Sequence, residues 1–408
     1  MNGPITETAN FAQNPYQVTV GTSPAGKAYR VNGSDYTTPQ TFSVTPGNGL
    51  VVSIVSNPQP GTTGTRYDFA RWSYSGAITH FFTPTSDSVL VAAFNTQYLL
   101  TMNAGTGGTS SPATNWFNSG SSVPITGSPN VSYSFSAWTG SGPGSYTGPV
   151  NPSAVTMNGP ITETASFTLF PVQVTVQSTP PGRSITVDGT IYTSPQTFVF
   201  TSGTNHTIAA DSVQNGTAGT RYIWTSWSDS ETRSHGVTVV KDTVFTVHMK
   251  TQYFLTMNAG TGGTVSPPSN WYDSAQVVTS LAATPNSGYT FSGWTGTGTG
   301  SYTGAANPAT VTMNSPVTEA AAFALGNILV TVTTAPAGRS IIVDGATYTA
   351  PQTFNWVANS SHTIASDTIQ NGPTGSRWVW ASWSDTGARS HIVTPSVSKT
   401  ITANFSVQ

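Results

Sequence analysis

The stretch Arg221 to His235, RYIWTSWSDSETRSH, decides the fold, because it returns as Arg66 to His80 (RYDFARWSYSGAITH) and as Arg377 to His391 (RWVWASWSDTGARSH). Offsets of 155 and 156 residues mark a tandem repeat with a long period. Within the copies, Tyr67 and Phe69, Tyr222 and Trp224, and Trp378 and Trp380 lie two residues apart, as on one apolar face of a strand. Strict alternation puts Trp72, Trp227 and Trp383 on the other face. Each either caps the far side of the sheet or is turned inward by a β-bulge.

A second unit lies between these copies. Trp138 sits in FSAWTGSGPGSYTG and Trp294 in FSGWTGTGTGSYTG, again 156 residues apart, so two module types alternate as A-B-A-B-A. Asn32-Gly33, Asp188-Gly189 and Asp344-Gly345 stand between alternating apolar residues in the A copies, the signal of a type I′ hairpin. Pro39, Pro195 and Pro351 precede Gln-Thr-Phe and restrict those segments to a strand start or a sheet edge. No segment carries a sustained apolar period of 3.6. The predicted fold is all-β: a linear tandem array of two alternating small modules, β-sandwich or β-grasp-like, with about five to seven short strands each and no helical domain.

The expected boundaries are 12–97, 169–252 and 325–408 for the A modules, and 98–168 and 253–324 for the B modules. Residues 1–11, MNGPITETANF, match 157–167, MNGPITETASF, and read as the closing strand of an incomplete B module. Met1 then reads as an internal methionine of a longer array, with a further B module expected after Gln408. The junctions hold only a few residues, which predicts restricted angles between modules and a rod on the order of 150 to 200 Å.

Composition narrows the function. Only 7% of the 408 residues are charged, against a usual quarter, and 11 Trp, 15 Tyr and 18 Phe supply aromatic cores. A net charge of −2 gives no electrostatic reason to expect nucleic acid as a partner. No apolar run is long enough for a spanning helix. Cysteine is absent, so no disulfide staples these modules. A Cys-free, charge-poor array rich in Gly and Thr is the composition expected outside a bacterial cell.

The B units resemble bacterial repeat domains grouped with the divergent B-repeats of internalin-type surface proteins. The resemblance rests on the opening YLLTMNAGTGGT or YFLTMNAGTGGT, the central FSAWTG or FSGWTG, and the closing VTMNGP or VTMNSP. The A units are similar to PEGA-like β-modules, through GRSITVDG or GRSIIVDG and the Pro-Gln-Thr-Phe and Trp-Ser-Asp segments. These resemblances imply small β-domains of extracellular or cell-surface proteins, acting as spacers, stalks or binding modules, and imply no catalytic activity.

Two constellations carry chemistry. His206, Asp229 and His235, with their counterparts His362, Asp385 and His391, are of the types that ligate zinc, or they close the sheet by hydrogen bonds. In the first A module Leu50 and Tyr74 replace the first His and the Asp together, which suggests that these two positions touch. Tyr146 and Tyr302, with Trp116 and Trp271, form a sugar-stacking platform if exposed, or pack in the core. Arg66, Arg221 and Arg377 are expected to stack or pair locally beside the aromatic strand. Carboxylates are too sparse for a glycosidase pair, and no nucleophile elbow or phosphate loop is present. The sequence therefore predicts no enzyme and no cofactor. It predicts a structural segment of a secreted or cell-surface protein forming a stalk, fibre or filament, whose partners are copies of itself or further modules. The alternative is an array that binds extracellular glycans.

Overall fold

A computed structural model describes residues 3–408, and every regular element among the described residues is a strand. The chain divides into two compact units: 1–174 with 197–206 and 237–243, and 175–196 with 207–236 and 244–408. The middle A segment is thus shared between them. Each unit is described by itself.

In the first unit, the A module comprises β1 (Tyr16–Ser23), β2 (Tyr29–Val31), β3 (Ser34–Tyr36), β4 (Gln40–Val44), β5 (Leu50–Ile54), β6 (Gln59–Pro60), β7 (Thr65–Trp72), β8 (Thr79–Phe82) and the first half of β9 (Ser88–Ala104). One sheet runs β4-β1-β9-β7-β6, the other β3-β2-β5-β8. Val18, Val20, Tyr29, Val31, Val52, Leu90 and Trp72 fill the space between them. Each such buried aliphatic side chain contributes about 1.5–3 kcal/mol. Of the two forms left open by the sequence, the module is a sandwich. Its strands outnumber the expected five to seven, the short β6 and β8 among them.

The hairpin forms as the sequence predicts. Asn32 and Gly33 take φ of 48° and 85°, and Asp188-Gly189 and Asp344-Gly345 repeat this at 48° and 79°, and 51° and 80°. The side chain at the first position then accepts a hydrogen bond from the backbone N–H of Val51, Thr207 or Thr363.

The bulge decides where the tryptophans go. The register against the next strand shifts between Phe69 and Arg71, between Trp224 and Ser226, and between Trp380 and Ser382. One extra residue reverses the side-chain parity, so Trp72, Trp227 and Trp383 turn into the core at 1–2% exposure. The same device, between Phe135 and Ala137 and between Phe291 and Gly293, buries Trp138 and Trp294 in the B modules.

The first B module continues with β10 (Gly108–Ser111), β11 (Asn115–Asn118), β12 (Ser122–Pro129), β13 (Tyr133–Ser141), β14 (Ser153–Thr156) and β15 (Ile161–Leu169). Strands β13, β15 and β11 join the second half of β9, and β10-β12-β14 form the facing sheet over Leu100, Ile125, Trp138, Val155 and Met157. Strand β9 is therefore common property. Residues 88–93 pair in parallel with β1 and residues 100–104 in parallel with β15, with no break in the strand between. Its even residues Leu90, Ala92, Phe94 and Leu100 are buried, so one parity serves both cores.

The second unit repeats these parts. Strand Thr243–Ala259 holds the strand Thr220–Trp227 through residues 247–253 and the second B module through Leu255–Ala259. The last A module packs the sheet of Asn327–Ala335, Gln352–Val357, Lys399–Val407 and Arg377–Trp383 over that of Ala346–Thr349, Ser340–Val343, His362–Ala365 and Ser390–Val393, with Trp356 and Trp383 in the core.

Candidate functional site

His235 and His391 meet oxygen atoms at both ring nitrogens. His391 lies opposite Ile364, where the tight turn after Trp383 brings Asp385 back beside it. Its Nε2 is 3.0 Å from Asp385 Oδ2 and its Nδ1 2.7 Å from the Ala388 carbonyl. His235 repeats this with Asp229 at 3.0 Å and the Thr232 carbonyl at 2.7 Å. Burial works against the charge on Asp385, but hydrogen bonds from His391 and the Gly387 N–H outweigh it and hold the carboxyl below its ordinary value.

The other histidine belongs to a different group. His362 stacks on Trp356 at 3.9 Å, and its Nδ1 lies 2.6 Å from Asp344 Oδ2. Its Nε2 lies 2.7 Å from Ser360 Oγ, whose own hydrogen goes to the Val357 carbonyl, leaving the hydroxyl oxygen to accept. His206 stacks likewise on Phe200 at 3.5 Å, with Nε2 2.8 Å from Thr204 Oγ1. The expected contact of the first His with the Trp-Ser-Asp carboxylate is thus corrected. Asp385 serves His391, and the turn residue Asp344 serves His362. The sequence held this signal, since Asn32 and Leu50 replace the turn Asp and the first His together.

Among the described residues no three His, Cys, Asp or Glu side chains gather in a metal-binding group. Both ring nitrogens of His362 and of His391 already face protein oxygens within hydrogen-bond distance. In the first module Tyr74 packs on Phe82 at 5.4 Å, and the buried Nε2 of His80 has no partner.

The B-module tyrosines face inward. Tyr146 and Tyr302 are half-buried against the core, and their hydroxyls accept from the N–H of Val150 at 3.1 Å and of Ala306 at 2.9 Å. Their own N–H groups donate at 2.7 Å to Glu163 and Glu319 Oε1. Both glutamates are fully buried, and the second carboxylate oxygen of each has no partner. Desolvation raises both carboxyls above the ordinary value, against the backbone hydrogen bond that lowers them. Gly140 permits this arrangement, since a Cβ there would overlap Glu163 Oε1 and the Tyr146 carbonyl. Asp273 lies opposite Gln252 and Glu319 opposite Met257, apart along the same strand.

Trp116 and Trp271 sit where A meets B. Arg66 covers the Trp116 ring at 4.7 Å, and its Nε donates to Gln97 at 2.7 Å; Gln97 in turn donates to Asn118 at 3.0 Å. The second unit repeats the ladder as Arg221 over Trp271 at 4.5 Å, Arg221 to Gln252 at 2.8 Å and Gln252 to Asp273 at 2.9 Å. Lys250 lies 2.5 Å from Asp273 and, together with Gln252, lowers its carboxyl. Arg377 meets Gln408 at 3.4 Å. The arginines stack and pair locally as the sequence predicts. The glutamines lie at the A–B junctions, where the sequence pattern carries no sign of their bonding role.

A family model for the divergent InlB B-repeat domain matches residues 98–171 and 253–327, the two B segments. No curated protein matches. Two solved structures are similar over nearly the whole chain. The Bacillus anthracis TIE protein shares 7% identity, covering 97% of this chain and 69% of its own, with a TM-score of 0.23. The pilus adhesin SpaC from Lactobacillus rhamnosus GG, in its open conformation, shares 10%, covering 98% and 55%, with a TM-score of 0.15. At these TM-scores neither defines a common topology.

Proposed function

We propose that this chain is a structural segment of a bacterial cell-surface or secreted tandem-repeat protein, in which the array of modules forms a stalk, fibre or filament. The observation that carries this reading is the sharing of β9 by two modules, with the Arg66–Gln97–Asn118 ladder across it. A strand common to two cores fixes the direction of one module on the next, which a spacer requires and a freely hinged binding module does not. The divergent InlB B-repeat match of the two B segments agrees with it. So do the polar side chains at the junction, since Arg66, Gln97 and Asn118 hydrogen-bond to one another.

The glycan-binding alternative has less support, since Tyr146, Tyr302, Trp116 and Trp271 are engaged by Val150, Ala306, Arg66 and Arg221. Electron microscopy of native cells, labelled against an A segment, tests the proposal. Label along surface stalks or fibres supports it. Label confined to the cell interior overturns it.

A further inference from the structure

The first and last strands of the modules lie side by side and run in the same direction. In the first A module Val18↔Ser88 to Ser23↔Ala93 are in register, and in the first B module Leu100↔Ile161 to Ala104↔Ala165. The second B module repeats this with Leu255↔Val317 to Ala259↔Ala321, and the last A module with Val330↔Lys399 to Ala335↔Asn404. Antiparallel first and last strands would place both chain ends of a module together. Parallel ones place them at opposite ends of the pair.

That placement fixes how tension acts. A pull along the chain enters a module at the start of its first strand and leaves at the end of its last. The inter-strand hydrogen bonds lie across this axis and are loaded together in shear. They must fail as a group. Were the force applied at the same end of both strands, the bonds would be loaded one after another and peel. Since β9 is both the last strand of one clamp and the first of the next, tension passes between modules along a single strand with no linker to stretch. Arg66 and Trp116 brace the transfer point from either side of that strand.

We infer that the array is a tension-bearing tether, each of these modules a shear clamp that holds its fold when the two ends of the chain are pulled apart. This deepens the structural reading and rests on it, naming mechanical load as what the array carries.

The absence of cysteine allows the pulling axis to be chosen by introduced pairs. Asn14→Cys with Asn95→Cys pulls the first A module in shear, and Asn14→Cys with Ser86→Cys peels the same strand pair from one end. All three positions are exposed. The full chain carries each pair, and single-molecule force spectroscopy reads the rupture force. A released length of up to about 290 Å identifies the shear event as this module. A repeat in the last module, with Asn327→Cys paired with Gln408→Cys or with Ser396→Cys, guards against a fold damaged by one substitution.

The expected result is a rupture force several-fold larger in shear than in peel, in both modules, at equal pulling speed. Equal forces along the two axes, or a weaker shear axis, overturn the inference. Either outcome is independent of surface labelling, so a failed clamp and a failed assignment to the cell surface are told apart.

Discussion

Replacing Glu163 by glutamine should stabilise the first B module at neutral pH. The side chain is fully buried, with Oε1 accepting from Tyr146 at 2.7 Å and Oε2 without a partner. Glutamine keeps the acceptor and removes the charge. A buried unpaired polar atom costs more when it is charged; the glutamine Nε2 takes the unpaired place of Oε2 but carries no charge, and removing the charge is favourable by about 1–3 kcal/mol. At about tenfold per 1.4 kcal/mol, that slows cooperative amide exchange of residues 133–169 by about 5- to 150-fold at pH 7. The linkage has a definite sign. Burial raises the folded carboxyl above its unfolded value of about 4.3. The contribution of Glu163 is therefore fully present below about pH 4.3 and is lost as pH rises through the raised folded value. Wild type and the glutamine variant should converge near pH 4 and diverge towards pH 7. Glu163→Ala, which leaves the Tyr146 N–H without its acceptor, should destabilise at both. Hydrogen exchange corrected for intrinsic rates is the assay, since a chain of several modules has no single melting transition. Faster exchange in the glutamine variant at pH 7, or better-protected wild-type B strands at pH 7 than at pH 4, would refute the reasoning.

The last A module should respond to pH in the opposite sense. Asp385 sits below its ordinary value, so its contribution is present above about pH 3.9, the unfolded value, and is lost as pH falls through the folded one; Asp385→Asn should flatten that loss in exchange of residues 377–393. Tyr74→Asp in the first A module gives the buried His80 Nε2 the partner seen at positions 229 and 385, and should stabilise that module by about 1 kcal/mol, read by slower amide exchange of residues 65–82. Arg66→Ala removes the Gln97 hydrogen bond and the cover over Trp116, a cation–π contact of about 0.5–1 kcal/mol; Trp116 should become more accessible to a fluorescence quencher while the A core around Trp72 keeps its protection.

Much of the fold was legible because the side-chain periods are strict. Val18, Val20 and the Asn32-Gly33 turn read as strands and hairpin, and the structure forms them. The inward turn of Trp72 stood as one of two possibilities, and an inserted residue between Phe69 and Arg71 settled it, which alternation alone does not reveal. The buried Glu163 was hidden by its chemistry. Ile161, Glu163, Ala165 and Phe167 share one parity, so the position reads inward once a charged residue is allowed there. The continuity of β9 was the least legible, because Asn95, Thr96 and Gln97 interrupt the apolar pattern and read as a boundary. Their polarity has a physical cause. At the crossing from one core to the next the strand faces no core of its own, and Gln97 is used instead to tie Arg66 to Asn118. The histidine pairing has its trace in the joint replacement at positions 32 and 50, whose counterparts Asp344 and His362 meet in the last A module.

Amide exchange of residues 95–98 tests most directly whether β9 is one strand through the junction. Asn95 pairs with Asp68, and Gln97 with both Arg66 and Asn118. The account predicts that these amides are protected to the same degree as those of the flanking strand at Leu90–Phe94 and Leu99–Met102. Exchange at the rate of an open linker, with protection only on either side, would contradict it.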